Sequence, residues 1–336
     1  MDKMKIFSTD NLRRLMVPIQ AAVSIFILYL LFRNVNLTET YQILSQVNVP
    51  ILLLSTVFFL LSSFAIGFGL HGALKAANAA PSMKTTQLAN FGGQLLSDIT
   101  PAKSGYFATP VLLNQLDSVP YEKGLMSVMS VGAINFFIKA AFSTTALVYF
   151  INRIQIDTTM TNAMLIGITI LLVGGIGLTI LVWTNCFSNL LLKLAKIPLM
   201  GKIIKKLCEI RTMFAKDKAG IRKSAKIIIL SVIGSVAFSG ISLFILADSM
   251  GLTQPTFPDL LLMGPLTAVF MYVPVTFAGL GLQEAAYVFL LTNIGAPIEI
   301  ALPFALLIRV LAITTDLIGL PPLIKTSTGL FNKIKK

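Results

Sequence analysis

Four ionisable residues stand in stretches otherwise almost free of charge: Lys103, Lys139, Glu284 and Arg309. No Ser/His/Asp set and no G-x-x-x-x-G-K-[ST] loop accompanies them. Neither enzymatic catalysis nor nucleotide-powered work is therefore expected of this chain. Three cations in apolar surroundings instead suit an anion such as phosphate. At helical spacing Lys139 shares a stripe with Gly132, Asn135, Ser143 and Ala146, and Arg309 shares one with Ala305, Ala312, Asp316 and Gly319. Small residues on such stripes let neighbouring helices approach, which sets the charge against protein. Glu284 and Arg309 are predicted to form a buried ion pair, a role compatible with ligand contact. Lys139 has Asp98 and Asp316 as candidate partners; left unpaired, it is better explained by an anionic ligand. Lys103 either snorkels to the cytoplasmic interface or meets the same ligand.

The elements that hold these residues are set by composition. Of 336 residues 55% are hydrophobic and 12% charged, and the mean hydropathy is +0.83. A soluble domain carries about 25% charge. A water-soluble globule, a disordered chain and a nucleic-acid binder are excluded, leaving an integral membrane protein. Two cysteines, Cys186 and Cys208, make no disulfide scaffold, and His71 is the one histidine. No metal or cofactor is expected.

About 20 mostly apolar residues cross a bilayer as a helix. Six runs qualify, at about Leu15–Phe32, Ile51–Leu74, Leu125–Phe150, Ala163–Trp183, Ile227–Ala247 and Ile298–Leu320. The first is read as a retained helix rather than a signal peptide, because it is long and no A-x-A-like site follows it. Six spans leave no room here for a separate soluble catalytic domain. Lysine and arginine in short loops stay cytoplasmic. The segment 184–226 holds eleven of them against Glu209 and Asp217, and the N-terminal stretch and the tail from Lys325 are basic as well. Both termini are predicted inside, in the cytoplasmic membrane. Most of the +13 net charge then reflects topology. Within the basic segment, Leu199–Lys216 reads as an amphipathic helix lying on anionic lipid.

Two segments, about 85–118 and 256–294, must each return to the side they started from if the charge pattern is to hold. Each contains a break: Thr100-Pro101-Ala102-Lys103-Ser104-Gly105 in the first, and Pro274 to Gly281, with Gly279 between, in the second. Proline removes a helix donor, and glycine lets the backbone reverse. Both are read as re-entrant pairs of half-helices. Runs starting near Gly105 and Gly281 would then aim positive helix ends at a common cavity. The fold class is all-α polytopic, with about six transmembrane helices and two re-entrant pairs. Residues 1–155 form one repeat and residues 156–336 an inverted second one. The two breaks share little beyond proline and glycine.

The second break, Pro274-Val-Thr-Phe-Ala-Gly279-Leu280-Gly281-Leu-Gln-Glu284, resembles the P-x-x-P/A-G-G-L-G-x-x-E signature of the transmembrane, flippase-like domain of lysylphosphatidylglycerol synthases and its free-standing relatives. Arg309 falls where that family has an arginine. Pro101-Ala102-Lys103-Ser104-Gly105 resembles its P-A-R-x-G-E-x-x-R, with Lys103 for the first arginine, Tyr106 for the glutamate and Thr109 for the second arginine. The resemblance implies movement of lipids with modified head groups between leaflets. Longer relatives carry a soluble domain that makes the aminoacyl lipid, and others work beside glycosyltransferases. The expected partners are thus anionic, aminoacyl or glycosyl phospholipids, with Lys103, Lys139, Glu284 and Arg309 at the head group. A homodimer and a cytoplasmic lipid-modifying enzyme are further candidate partners. Two other readings stay open: a membrane scaffold for a lipid-modifying enzyme, docked through 184–226, and a small-solute carrier.

Overall fold

The structure, a computed structural model, describes residues 9–33, 35–154, 156–183 and 218–325. Among these the chain is helical and holds no strand. In chain order the helices are α1 (Thr9–Phe32), α2 (Leu37–Ser45), α3 (Val49–Ala76), α4 (Met83–Asp98), α5 (Thr109–Asp117), α6 (Tyr121–Arg153), α7 (Thr158–Trp183), α8 (Lys218–Ser249), α9 (Phe257–Ala268), α10 (Leu282–Asn293) and α11 (Ile298–Asp316). Five are long and apolar enough to cross a membrane, and a sixth span results if α1 and α2 are taken together. The amphipathic segment Leu199–Lys216 lies outside the described residues.

One element was not legible in advance. The segment 33–50, between the first two apolar runs, contains α2. Its start is fixed by Asn36, whose side-chain oxygen accepts the backbone N–H groups of Thr38 and Glu39 at 3.1 and 3.4 Å. A nine-residue helix gives too little periodicity to be read, and here the cap decides.

Helices α3 and α8 pack along one another. Ser55 pairs with Ser242 and Ser62 with Ser235, their hydroxyls 3.0 and 2.8 Å apart, so the two helices run antiparallel. Each of Ser55, Ser62 and Ser242 also donates to its partner's backbone carbonyl. Gly69 and Gly72 continue this seam against Ser231 and Ile227. Lipid tails are as apolar as leucine, so close packing and such hydrogen bonds hold the helices together.

Helix α6, 33 residues and about 50 Å long, is the ruler of the fold. Two helical hairpins, α4–α5 and α9–α10, are fastened to its opposite ends. The backbone N–H of Ser82, before α4, donates to Asp117 at the end of α5 at 2.9 Å, so this hairpin closes on itself. The start of α6 packs there, Gly124 lying against Pro110. At the other end Arg153 pairs with Asp259 at the start of α9 at 2.8 Å, and Tyr149 donates to the same carboxylate at 3.0 Å. The tips of the two hairpins touch one another between these ends.

The tips also correct the sequence reading. Thr100 and Thr276 are extended, and each is followed two residues later by an alanine with positive φ, 51° at Ala102 and 42° at Ala278. Lys103 and Gly279 come next with φ 55° and 75°, and Gly105 and Gly281 stand two further on. The breaks therefore share T-x-A-x-x-G and a left-handed turn at the alanine and the residue after it, far more than proline and glycine. They part at the last glycine, where Gly281 has φ 88° and Gly105 does not turn left-handed. In the first tip the reversal rests on Ala102 and Lys103, not on Gly105. Gly105 serves close approach: a Cβ there would lie 2.4 Å from the carbonyl of Leu96. Nor does a helix begin near Gly105, because Pro101–Ala108 is a tight 3-10 segment and α5 starts at Thr109. A non-glycine residue held at positive φ costs about 1–3 kcal/mol and persists only where its surroundings enforce it. Here each tip is enforced by the other.

Candidate functional site

Around the meeting tips lies a cavity of about 280 Å³, walled by all the helices from α3 to α11 except α5, by the first break, and by Met271 and Tyr272 just before the second. Lys103, Lys139 and Arg309 all line it. Glu284 does not. It is 1% exposed beneath the wall, where one carboxylate oxygen accepts the Gly281 N–H at 2.7 Å and the other accepts Arg309 Nε. The expected Glu284–Arg309 pair is thus present, and with both oxygens occupied Glu284 is a positioning residue. Arg309 reaches further to Gln283 Oε1 at 3.4 Å, which turns the planar guanidinium along the cavity.

Lys103 pairs with Asp98, one turn before the break, at 3.0 Å. It is drawn inward by that carboxylate rather than out to the interface. Lys139, near the middle of α6, meets neither Asp98 nor Asp316 in an ion pair. Its ammonium lies 3.5 Å from the Tyr272 hydroxyl and 5.7 Å from that ring's centroid. Phe136, one turn earlier, stacks edge-on against the same ring at 5.0 Å. Among the described residues Lys139 is the cavity cation with no carboxylate partner. Asp316, at the end of α11, lies beside Asp98 and feels the Lys103 charge. Gly319, three residues past the end of α11, packs backbone to backbone against Gly92 of α4, since a Cβ on Gly319 would fall 2.0 Å from Gly92 N.

Several polar atoms on this wall are buried without a protein partner: Gln94 Nε2, Asn135 Oδ1, Asp98 Oδ2 and Asp316 Oδ1. Buried polar groups are nearly always satisfied, so such a cluster marks a place for water or a ligand. Tyr106 lines the cavity too, its hydroxyl donating to Asn90 at 2.8 Å. Thr109 does not. It is fully buried, donates to Tyr106 O at 2.7 Å and presses on Gly93, where no arginine would fit. Sequence reasoning missed Tyr272 and Gln94 as lining residues. Gln94, Ser97 and Asp98 at i, i+3, i+4 form a polar helical face that could have revealed the second. Tyr272 had no local signal.

The pattern of the family described as "Lysylphosphatidylglycerol synthase TM region" matches residues 17–319. The chain belongs to that family and is a multi-pass membrane protein. A search of curated protein sequences finds no match.

Proposed function

We propose that this member of the lysylphosphatidylglycerol synthase TM-region family moves a phospholipid or glycolipid with an anionic, modified head group across the cytoplasmic membrane. The observation that carries this reading is the central cavity, with three cations on its wall and four buried polar atoms lacking protein partners. Lys139 and Lys103 hold the phosphate, Arg309 contacts it from α11, and Glu284 fixes Arg309. The acyl chains stay in the bilayer. Purified protein is expected to retain phosphatidylglycerol over phosphatidylcholine when bound lipid is counted by native mass spectrometry. Equal retention of the two would speak against a phosphate site.

The same reading makes α4–α5 and α9–α10 re-entrant hairpins entering from opposite faces, related as the tips of an inverted repeat with both termini inside. Their attachment to opposite ends of α6 and the shared T-x-A-x-x-G turn support it. The arrangement is tested by single cysteines in a background lacking Cys186 and Cys208. Gln115→Cys and Gln254→Cys are exposed positions near the open ends of the two hairpins. An impermeant thiol reagent is expected to reach the first only from the cytoplasmic side and the second only from outside. Labelling of both from one side would overturn the opposed hairpins.

A further inference from the structure

A second feature of the cavity wall has no part in holding phosphate. Asp98 and Asp316 are 8% and 3% exposed, lie side by side, and each keeps one buried oxygen without any donor. Lys103 satisfies only Oδ1 of Asp98. Two ionised carboxylates in so small a space repel each other, and both are acceptors only. A proton bound between them when an anion enters would supply the missing donor. We propose that the Asp98–Asp316 pair binds one proton together with each anionic head group, so that the protein is a symporter of a proton and a phosphodiester. This rests on the proposed function, and deepens it by naming the coupling ion.

The argument is one of charge neutrality. The groups facing the cavity or its wall are Lys103 from the first break, Lys139 from α6, Arg309 and Asp316 from α11, Asp98 from α4 and, behind Arg309, Glu284 from α10. Tyr106, Tyr272 and, from α10, Tyr287 contribute hydroxyls. From α3 and α8 come only the serines 62, 63, 235 and 239, and the lining residues of α7 and α9 are apolar or glycine. Three cations therefore oppose three carboxylates when the pair is fully ionised. That empty state is neutral. A phosphodiester entering alone leaves one negative charge in a low-dielectric interior, and a proton entering alone leaves one positive charge. Either state is disfavoured. Proton and phosphodiester together restore neutrality: the shared proton makes the pair singly negative, Glu284 balances Arg309, the pair balances Lys103, and the phosphate faces Lys139. The proton comes from water on the entry side and leaves to water on the exit side with the head group. No oxidant or nucleotide is consumed.

The test is proton counting on the purified full-length chain in weakly buffered detergent with a pH-indicator dye. Two probes are added, dioctanoylphosphatidylglycerol as the lipid and glycerophosphoglycerol as the soluble phosphodiester. About one proton is expected to be taken up per dioctanoylphosphatidylglycerol bound, and its apparent Kd to rise about tenfold per pH unit on the alkaline side. In Asp316→Asn the amide replaces the protonated acid, so binding is expected to persist without proton uptake and with a flat pH profile. If that variant fails to fold, the wild-type proton count decides alone. Proton uptake with glycerophosphoglycerol but not with the lipid would uphold the coupling and overturn the lipid as cargo. Binding of either probe without proton uptake would overturn the coupling while leaving the phosphate site standing. Binding of neither would overturn both.

Discussion

Arg309→Ala and Glu284→Ala are each expected to destabilise the protein by about 3–5 kcal/mol, because removing one member of a buried pair strands the other. The structure makes the two losses unequal. Glu284 also accepts the Gly281 N–H that opens α10, so Glu284→Ala loses a helix start as well as the pair, and is expected to be the more damaging. Glu284→Gln keeps an acceptor for Gly281. The double replacement Glu284→Gln, Arg309→Met should therefore recover most of the stability in thermal unfolding in detergent. It should still fail to move lipid, since Arg309 faces the cavity and its cation is gone. Arg309→Lys should fold and move lipid slowly, keeping charge but losing the planar fork. Wild-type transport by the double variant would reduce the pair to a structural clamp.

Lys139 gives the opposite pattern. No carboxylate pairs with it among the described residues, and its contact is the Tyr272 ring and hydroxyl. Lys139→Met therefore strands nothing, and its unfolding temperature should stay close to wild type. Its binding of phosphatidylglycerol should weaken by about 1.5–3 kcal/mol, the range of a hydrogen bond to a charged group, or roughly 10- to 150-fold. Lys103→Met is the contrasting case. It leaves Asp98 buried without its cation, so stability and binding should fall together. If Lys139→Met unfolded as readily as Lys103→Met while binding lipid normally, Lys139 would be a packing residue and the anion site would lose its centre.

Much of this arrangement could be read from residue order. Long apolar runs gave the spans, because hydropathy over 20 residues is a strong and local signal. The Glu284–Arg309 pair was legible because a charge on an apolar helix has few alternatives to a partner on the next one. Other features depend on what tertiary contact does to the chain. Lys103 could equally have snorkelled; only the fold of the first tip, with Ala102 and Lys103 at positive φ, turns it back onto Asp98. Lys139 could equally have met Asp98 or Asp316, and meets Tyr272 because the second tip reaches α6 at that height. The kinship of the two breaks was hidden for a similar reason. Their shared threonine, alanine and glycine look unremarkable in sequence, and it is the common left-handed turn that joins them.

The central claim is lipid movement, and the most direct measurement is leaflet exchange in proteoliposomes. Protein is reconstituted into vesicles of phosphatidylethanolamine and phosphatidylglycerol carrying a trace of NBD-phosphatidylglycerol, and dithionite is added to bleach the outer leaflet. Vesicles with wild-type protein are expected to lose nearly all fluorescence as inner-leaflet lipid is brought out. Those with Lys139→Met, and those without protein, should stop near half. A plateau near half for folded wild-type protein, across phosphatidylglycerol and its aminoacyl and glycosyl derivatives alike, would contradict a lipid-moving role.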